Sequence, residues 1–393
     1  MNNKAAYIVY ARRTAVGSLL GSLGQISAAK LGSLVIGSIV GESKLDPFLI
    51  DEVIMGQVIT AGAGQNPARQ ALLQAGLPQE VKGFTINKVC GSGLKAVCLA
   101  TSSIMAGENE IVIAGGQENM SLGLHGAYIR AGQKLGNITM VDLMQYDGLV
   151  DAFSNNSMGI TAENIAKKFN ISREIQDEYA AKSHQKASRA RTEGYFKDEI
   201  LPVEVKVKKD ILLFDQDEGI RANASLDVLA QLKPVFEKGG TVTAGNSSSI
   251  NDGAACVMVV SEEALTKYNL HPLARIVSYA STGVDPNIMG TAPVPASLKA
   301  LAKAGWRVED LDVIEANEAF AAQAIYVNER MKWDIDKVNM NGGAIAIGHP
   351  IGASGARIFV SLIHQMKRVN AKKGLATLCI GGGLGIAMCV EAV

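Results

Sequence analysis

The sequence has few aromatic residues, no excess charge of either sign and no long apolar run. Aromatic residues make up 5% of its 393 residues, and 38 Lys and Arg residues balance 38 Asp and Glu residues. Without net charge, the chain carries no overall field that would attract nucleic acid or an anionic membrane. No window approaches about 18 uninterrupted apolar residues, so we predict no transmembrane helix. Any ligand must therefore be bound by a local group of residues and not by the overall charge of the protein.

The chain also lacks the sequence marks of disulfide frameworks, metal sites and common nucleotide cofactors. Its five cysteines are an odd number without framework spacing, which suits a reducing compartment. No Cys and His spacing is typical of a metal site, no Walker A sequence is present, and 62–64 lacks the context of a dinucleotide fingerprint. The N-terminus shows no signal-peptide pattern and enters a predicted strand at once. We therefore predict a cytoplasmic protein with no metal and no cofactor, NAD included.

What the chain does have is a high apolar content and an internal repeat. Hydrophobic residues make up 48% of the sequence, enough for a large core in two or three domains. Three segments recur in order about 260 residues later: 51–56 at 312–317, 91–93 at 353–355, and 111–116 at 375–382. Each half reads strand, helix, strand, which predicts two α/β halves, 1–270 and 271–393, with partly parallel sheets.

The segment from about 120 to 250 contains more charged and polar residues than the rest of the chain. It contains two predicted polar helices, near 161–169 and from Ser172 to Gly194, with Ser172 as the N-cap of the second. Residues 203–208 alternate apolar and charged side chains, which predicts a half-exposed strand. We interpret this segment as a loop domain inserted in the first half.

Cys90 lies in a glycine-rich turn, Asn87 to Ala96, ahead of a predicted amphipathic helix. The buried face of that helix is predicted to carry Leu94, Val97, Cys98, Thr101, Ile104 and Met105. Free N–H groups at a helix start stabilise a thiolate, which lowers the thiol pKa, and they can also hold an oxyanion. A buried structural cysteine is the competing interpretation, which suits Cys98, Cys256 and Cys389.

Three further motifs follow near the C-terminus. His349 lies in a loop of small residues at 341–357, Cys379 ends a short apolar strand before three glycines, and Asn317 lies within 315–321. Taken singly, each has an ordinary structural interpretation as a loop histidine, a strand cysteine or a turn. Together with Cys90 they form a consistent catalytic set.

With the blocks at 240–246 and 251–255, these motifs resemble the thiolase family over essentially the whole chain, in particular its short-chain acetyl-CoA C-acetyltransferases. The resemblance implies two similar α/β halves in a five-layer α-β-α-β-α core with the inserted loop domain over the site. It also implies a homotetramer with contacts in 122–147. Acetyl-CoA, acetoacetyl-CoA and CoA would be substrates, and CoA would not be a resident cofactor.

The same resemblance implies an acyltransferase that performs a reversible Claisen condensation. Cys90 would carry the acetyl group, His349 would activate it, and Cys379 would be the acid and base. One oxyanion hole would consist of His349 and a water positioned by Asn317, the other of the backbone N–H groups of Cys90 and Gly381.

Contacts with CoA are also implied by the resemblance. They comprise Leu149, Met158, Arg221, Phe236, Ala244, Ser248, Met289, Ala319 and Phe320. Ser157 and Val228 depart from the family pattern, which often has His and Ser there, and we expect them to tune CoA contacts. Met158 and the sequence 89–93 are typical of the short-chain enzymes, whose acyl pocket is small.

Three alternatives differ in class or specificity. A broader 3-ketoacyl-CoA thiolase of fatty-acid breakdown would share every catalytic residue and differ in pocket depth. A ketoacyl synthase would use one cysteine with two histidines, and a non-catalytic CoA-binding scaffold would not need the full catalytic set. The sequence leaves open the physiological direction, the range of acyl chain lengths and the size of the oligomer.

Overall fold

The computed structural model describes residues 5–130 and 132–393. The first four residues of the predicted N-terminal strand and Ala131 of the predicted tetramer segment lie outside this part. Fifteen strands are formed by the described residues: β1 Ala6–Thr14, β2 Gly17–Ser18, β3 Glu52–Gly56, β4 Lys82–Ile86, β5 Ile111–Asn119, β6 His125–Gly126, β7 Val141–Asp142, β8 Ile200–Leu201, β9 Val203–Val207, β10 Asp210–Phe214, β11 Asn251–Ser261, β12 Ala274–Gly283, β13 Val313–Ala316, β14 Lys373–Ile380 and β15 Leu384–Glu391.

Twelve α-helices lie in the same described ranges. They are α1 Ala28–Ser43, α2 Pro67–Gln74, α3 Ser92–Ala106, α4 Leu143–Gly148, α5 Met158–Phe169, α6 Arg173–Thr192, α7 Leu226–Ala230, α8 Glu262–Lys267, α9 Pro293–Ala304, α10 Ala321–Met331, α11 Ala344–Ile347 and α12 Ile351–Val369. Short 3₁₀ helices span Pro47–Leu49, Pro286–Thr291, Val308–Asp310 and Ile335–Lys337.

The strand order confirms the predicted duplication. In the first half, β3 pairs in parallel with β5, which is followed by antiparallel β11 and β1. In the second half, β13 pairs in parallel with β14, which is followed by antiparallel β15 and β12. The same order with the same directions recurs, and a short β1–β12 ladder joins the halves.

Apolar clusters divide the core into the five predicted layers. Helices α1 and α2 pack on one face of the first-half strands, against residues such as Met55. Helices α3 and α12 lie between the halves, with Val257 from one side and Leu378 from the other in the same cluster. Helices α9 and α10 cover the outer face of the second half, where Cys389 points. Alternate residues of each strand thus pack against helices on opposite faces of the sheet.

The two central helices cross with almost no space between their first turns. A Cβ placed on Gly93 of α3 would lie 2.6 Å from the backbone N of Ala356 of α12. A Cβ placed on Gly355 of α12 would lie 2.5 Å from the backbone N of Leu94 of α3. Glycine is needed at both positions because any side chain would separate the backbones.

Helix α3 follows the predicted amphipathic pattern with one exception. Five of the six residues on the predicted face are buried, but Met105 is 52% exposed. The segment Val89–Ala106 is long and apolar enough to be a candidate membrane span by length and composition. More than half of it is buried, and its helical part packs between the sheet and α12, as a core helix does.

The inserted segment also forms largely as predicted. Helix α5 begins at Met158, slightly earlier than expected, and α6 ends at Thr192. The Ser172 hydroxyl caps α6 by accepting the N–H of Ile175. Within β9, residues 203–206 alternate buried and exposed, where the sequence predicts a half-exposed strand.

Large apolar side chains are exposed in the segment with predicted tetramer contacts. Tyr128 is 90% exposed and Leu135 92% exposed, and Leu124 and Met140 are also accessible. Such a patch is typical of a surface that another subunit covers. The tetramer itself remains a prediction.

Replacing Gly355 by alanine should destabilise the protein because the new methyl group has no room against the α3 backbone. We expect a loss of about 1–3 kcal/mol in the free energy of unfolding, as for other overpacked cores, measured by thermal or denaturant unfolding. Gly41→Ala is the matched control, since Gly41 lies in α1 and a Cβ added there would meet no atom within 4 Å. The control should be neutral or slightly stabilising. Equal stability of the two variants would contradict the close crossing.

Candidate active site

Cys90 follows a strained residue in the loop between β4 and α3. Val89 has φ +46°, an unusual value for a β-branched residue and a form of backbone strain that is often found at functional sites. The Asn87 side chain accepts the Val89 N–H at 2.9 Å. The Ser92 hydroxyl accepts the Lys88 N–H at 2.8 Å and donates to the Val89 carbonyl at 2.6 Å. These bonds fix the strained turn and therefore the direction of Cys90.

The Cys90 thiol lies against the end of β14. The backbone N–H groups of Gly381 and of Cys90 itself lower the pKa of this thiol. Gly91 packs so closely on the Ile380 side chain that a Cβ there would lie 2.4 Å from it. The two predicted donors of an oxyanion hole therefore lie at the predicted nucleophile.

The expected lowering of the Cys90 pKa is wrong for the free protein. Burial raises the pKa of Cys90 to about 11, and this effect outweighs the two backbone N–H groups, which lower it. Glu118, a buried carboxyl group, adds a smaller upward effect. A helix start favours thiolate, but removal of the thiol from water by the surrounding strands and helices has the larger effect.

Cys379 is the second sulfur in the pocket. It lies near the end of β14 and is 1% exposed. Burial raises its pKa, and the nearby charge of Cys90 raises it further. Gly91 packs on the Ile380 side chain and Gly381 lies against Val89, so the segments that carry the two cysteines touch, although they belong to different halves of the chain.

His349 is held in the loop that precedes α12. Its backbone N–H donates to the Asn251 side chain at 2.8 Å. Gly348, with φ +116°, packs against the same amide, so that a Cβ there would lie 2.6 Å from it. The Nδ1 atom of His349 lies 2.5 Å from the Ser354 hydroxyl. Burial, and then the Arg357 cation, lower the pKa of His349 to about 3, so the ring is neutral at neutral pH and can accept a proton.

Asn317 follows β13, and its backbone N–H donates to the Thr377 carbonyl on neighbouring β14. Both polar atoms of its side-chain amide are buried and have no hydrogen-bond partner among residues 5–130 and 132–393. Buried amides are normally paired with protein, water or ligand. This amide therefore has the capacity to hold a water or a substrate group.

Most of the predicted CoA contacts cluster around Cys379. One apolar cluster contains Cys379 together with Met158, Phe236, Met289, Ala319 and Phe320. The Phe236 and Phe320 rings meet edge to face at 6.2 Å. Large side chains thus surround Cys379, which makes the wall of the pocket apolar and bulky.

Of the remaining predicted contacts, Leu149 and Ser248 are hydrogen-bonded through the backbone to members of this cluster, Met158 and Ala319. Leu149 packs with Cys90 against the apolar cluster that contains Ile351. Ser248 donates its N–H to the Ala319 carbonyl at 3.0 Å, and Ala244 is exposed in the loop before it. Arg221 is exposed, and its backbone N–H donates to the buried His184 side chain. An exposed guanidinium suits a phosphate or an adenine ring.

Several residues that hold the site were not predicted from the sequence. Glu118 is fully buried, and its carboxylate accepts N–H groups from Val58, Ile59 and Gly352, which ties the start of α12 to the first half. Burial raises the pKa of Glu118 to about 7. Asn251 and Ser354 lie inside motifs of the sequence but carried no predicted function, and nothing local distinguishes Glu118 from an exposed acid.

Two family models together match nearly the whole chain. The family model described as the thiolase N-terminal domain matches residues 6–263, and that of the thiolase C-terminal domain matches 270–392. An acetyl-CoA acetyltransferase of Paracoccus denitrificans is 56% identical over 386 residues, which cover 98% of this chain and 99% of that protein.

Solved structures show the same fold. The acetyl-CoA acetyltransferase of Bacillus anthracis has a TM-score of 0.97 at 43% identity, with 99% of each chain covered. Human mitochondrial 3-ketoacyl-CoA thiolase in complex with CoA has a TM-score of 0.95 at 42% identity and covers 99% of this chain and 98% of that one. The chain therefore belongs to the thiolase family and is an acyltransferase.

Proposed function

We propose that the protein is an acetyl-CoA C-acetyltransferase that reversibly condenses two acetyl-CoA molecules to acetoacetyl-CoA and CoA. The observation that carries the proposal is that two cysteine-bearing segments from separate halves meet. A Cβ on Gly91, next to Cys90, would lie 2.4 Å from the Ile380 side chain, next to Cys379. The relative from Paracoccus denitrificans, named acetyl-CoA acetyltransferase, supports the choice of acyl group.

The first half-reaction acetylates Cys90. The proton of the Cys90 thiol moves to Nε2 of His349, and the sulfur attacks the carbonyl carbon of acetyl-CoA. The oxyanion of the tetrahedral intermediate accepts the N–H groups of Cys90 and Gly381. The bond from carbon to the CoA sulfur then breaks, and that sulfur takes the proton of Cys379. The products are acetyl-Cys90, CoA, a Cys379 thiolate and a His349 imidazolium.

The second half-reaction forms the carbon–carbon bond. The Cys379 thiolate removes a proton from the methyl group of a second acetyl-CoA. The enolate oxygen is held by Nε2–H of His349 and by a water on the buried Asn317 amide. The enolate carbon attacks the acetyl carbonyl, the bond to Cys90 breaks, and the Cys90 sulfur regains its proton from His349. Apart from that water, every group in this cycle belongs to the chain or to the thioester substrates.

Burial explains why the charges appear in pairs. The pKa of Cys90 is raised and that of His349 is lowered, so neither a lone thiolate nor a lone imidazolium is stable in the free site. In the proposed cycle, a thiolate and an imidazolium form together, and the site keeps its net charge.

We place the CoA chain along the inserted segment, between Leu149 and the loop with Ala244 and Ser248, with its nucleotide near Arg221. The acyl end would meet the bulky cluster around Cys379, in particular Met158 and Met289. A small acyl pocket follows from these side chains. A broader 3-ketoacyl-CoA thiolase is the alternative, and pocket depth separates the two.

The two cysteines should fail at different steps. Cys90→Ala should form no acetyl-enzyme. Cys379→Ala should still be acetylated by acetyl-CoA, because a CoA thiolate can leave without an acid, but it should lose condensation by about 10²–10⁴-fold, the usual effect of an acid–base group. Mass spectrometry measures the acetyl group, and a coupled assay measures acetoacetyl-CoA. Cys389→Ala, a buried cysteine of another layer, is the control and should keep both steps. Equal loss of acetylation in the Cys90 and Cys379 variants would refute this division of roles.

Pocket depth should limit the acyl chain. The specificity constant for thiolysis should be highest for acetoacetyl-CoA and fall by about 30-fold or more for each added pair of methylenes, since one methylene in a tight pocket is worth about 1–3 kcal/mol. Met158→Ala should relax this limit, whereas Met105→Ala, an exposed methionine of α3, should not. Comparable specificity constants for long and short substrates in the wild-type enzyme would favour the broader thiolase.

A further inference from the structure

The imidazole of His349 has a hydroxyl partner on the side away from the proposed proton transfer. Nδ1 of His349 lies 2.5 Å from the Ser354 hydroxyl oxygen. Ser354 belongs to the first turns of α12, and both side chains are buried, Ser354 completely. The partner is therefore fixed by the helix and protected from water.

A second contact of Ser354 indicates the direction of this hydrogen bond. Its hydroxyl also lies 2.9 Å from the carbonyl oxygen of Pro350, which can only accept. If the hydroxyl donates to Pro350, it accepts from an Nδ1–H of His349, and both contacts are hydrogen bonds. If the hydroxyl donates to Nδ1, the contact with Pro350 is lost. The first arrangement makes one more hydrogen bond, and it leaves Nε2 without a proton.

We infer that Ser354 is a positioning residue that holds His349 in the Nδ1–H tautomer, so that the lone pair of Nε2 is available to Cys90. The inference rests on the proposed function, in which Nε2 receives the thiol proton. The backbone N–H of His349, bound to Asn251 at 2.8 Å, fixes the other end of the residue. Ring and backbone are thus held from two sides.

The choice of a hydroxyl over a carboxylate has a chemical consequence. A carboxylate at Nδ1 would stabilise the imidazolium and favour a permanent charged pair with Cys90. A neutral hydroxyl orients the ring without that effect, and burial together with Arg357 keeps the pKa of His349 low. The base stays neutral until an acyl group arrives.

The internal repeat gives independent support. Ser354 corresponds to Ser92 of the first half, since 91–93 is echoed at 353–355. Ser92 uses its hydroxyl to hold the Cys90 turn, accepting the Lys88 N–H and donating to the Val89 carbonyl. In each half the corresponding serine therefore fixes the loop that precedes its central helix.

Nitrogen-15 NMR of the full-length enzyme tests the tautomer directly. The chain has five histidines, so labelling with ¹⁵N-histidine gives few ring signals, and His349→Asn identifies those of His349. We expect a protonated Nδ1 and an unprotonated Nε2 at neutral pH in the wild-type enzyme. An Nε2–H tautomer in the wild-type enzyme would overturn the inference without any variant.

Single-turnover kinetics test whether Ser354 affects the acetylation of Cys90. In Ser354→Ala, acetylation of Cys90 by acetyl-CoA should slow about 10- to 100-fold, as expected for loss of a residue that orients a catalytic group, with KM little changed and the His349 ring signals shifted. Ser361→Ala is the matched control, a buried serine of the same helix that donates to Glu199, and it should retain the wild-type rate and ring signals.

Different experimental results would contradict the proposed function and the proposed role of Ser354. If the wild-type enzyme forms no acetyl-Cys90, the proposed function is wrong. If the wild-type enzyme is acetylated, and Ser354→Ala is acetylated equally fast with unchanged His349 signals, the positioning role of Ser354 is wrong and the proposed function stands.

Discussion

The close crossing of α3 and α12 is the constraint on which the site depends. Gly93 and Gly355 allow each helix to touch the backbone of the other at its first turns. Because Cys90 precedes α3 and His349 precedes α12, the crossing brings the two loops together at the junction of the halves. A larger residue at either glycine would push the two helices apart and separate the loops that carry Cys90 and His349. Close packing of the helices is therefore also a condition for assembling the site.

Burial sets the electrostatics of this junction. The strands and helices that bring the residues together also exclude water, which raises the pKa of both thiols and lowers that of the imidazole. The backbone N–H groups of Gly381 and Cys90 lower the pKa of Cys90, but by less than burial raises it. The two thiols and the imidazole are therefore neutral at rest, and in the proposed cycle they become charged only when an acyl group is bound.

Sequence reasoning predicted the elements that local patterns specify. The helix after Cys90, the Ser172 cap and the duplicated halves follow from periodicity, capping chemistry and ordered repeats, and the structure contains them. The exposed Met105 and the raised pKa of Cys90 were missed for a common reason. Each depends on where distant segments pack, which a window of sequence does not contain. Glu118 was missed likewise, since its partners Val58 and Gly352 are far from it in the chain.

Ser92 and Ser354 occupy corresponding positions in the two halves, but their hydroxyl groups have different functions. At the start of α3, the hydroxyl of Ser92 bonds only backbone groups and maintains a turn in which Val89 has a positive φ. At the start of α12, the hydroxyl of Ser354 keeps one backbone bond, to Pro350, and uses the other for the ring of His349. The same side chain at the same place in the fold thus fixes the proposed nucleophile in one half and the proposed base in the other. The two halves differ in the loop that the serine contacts. The different proposed roles of Cys90 and His349 therefore depend on these loops, while the two helices remain alike.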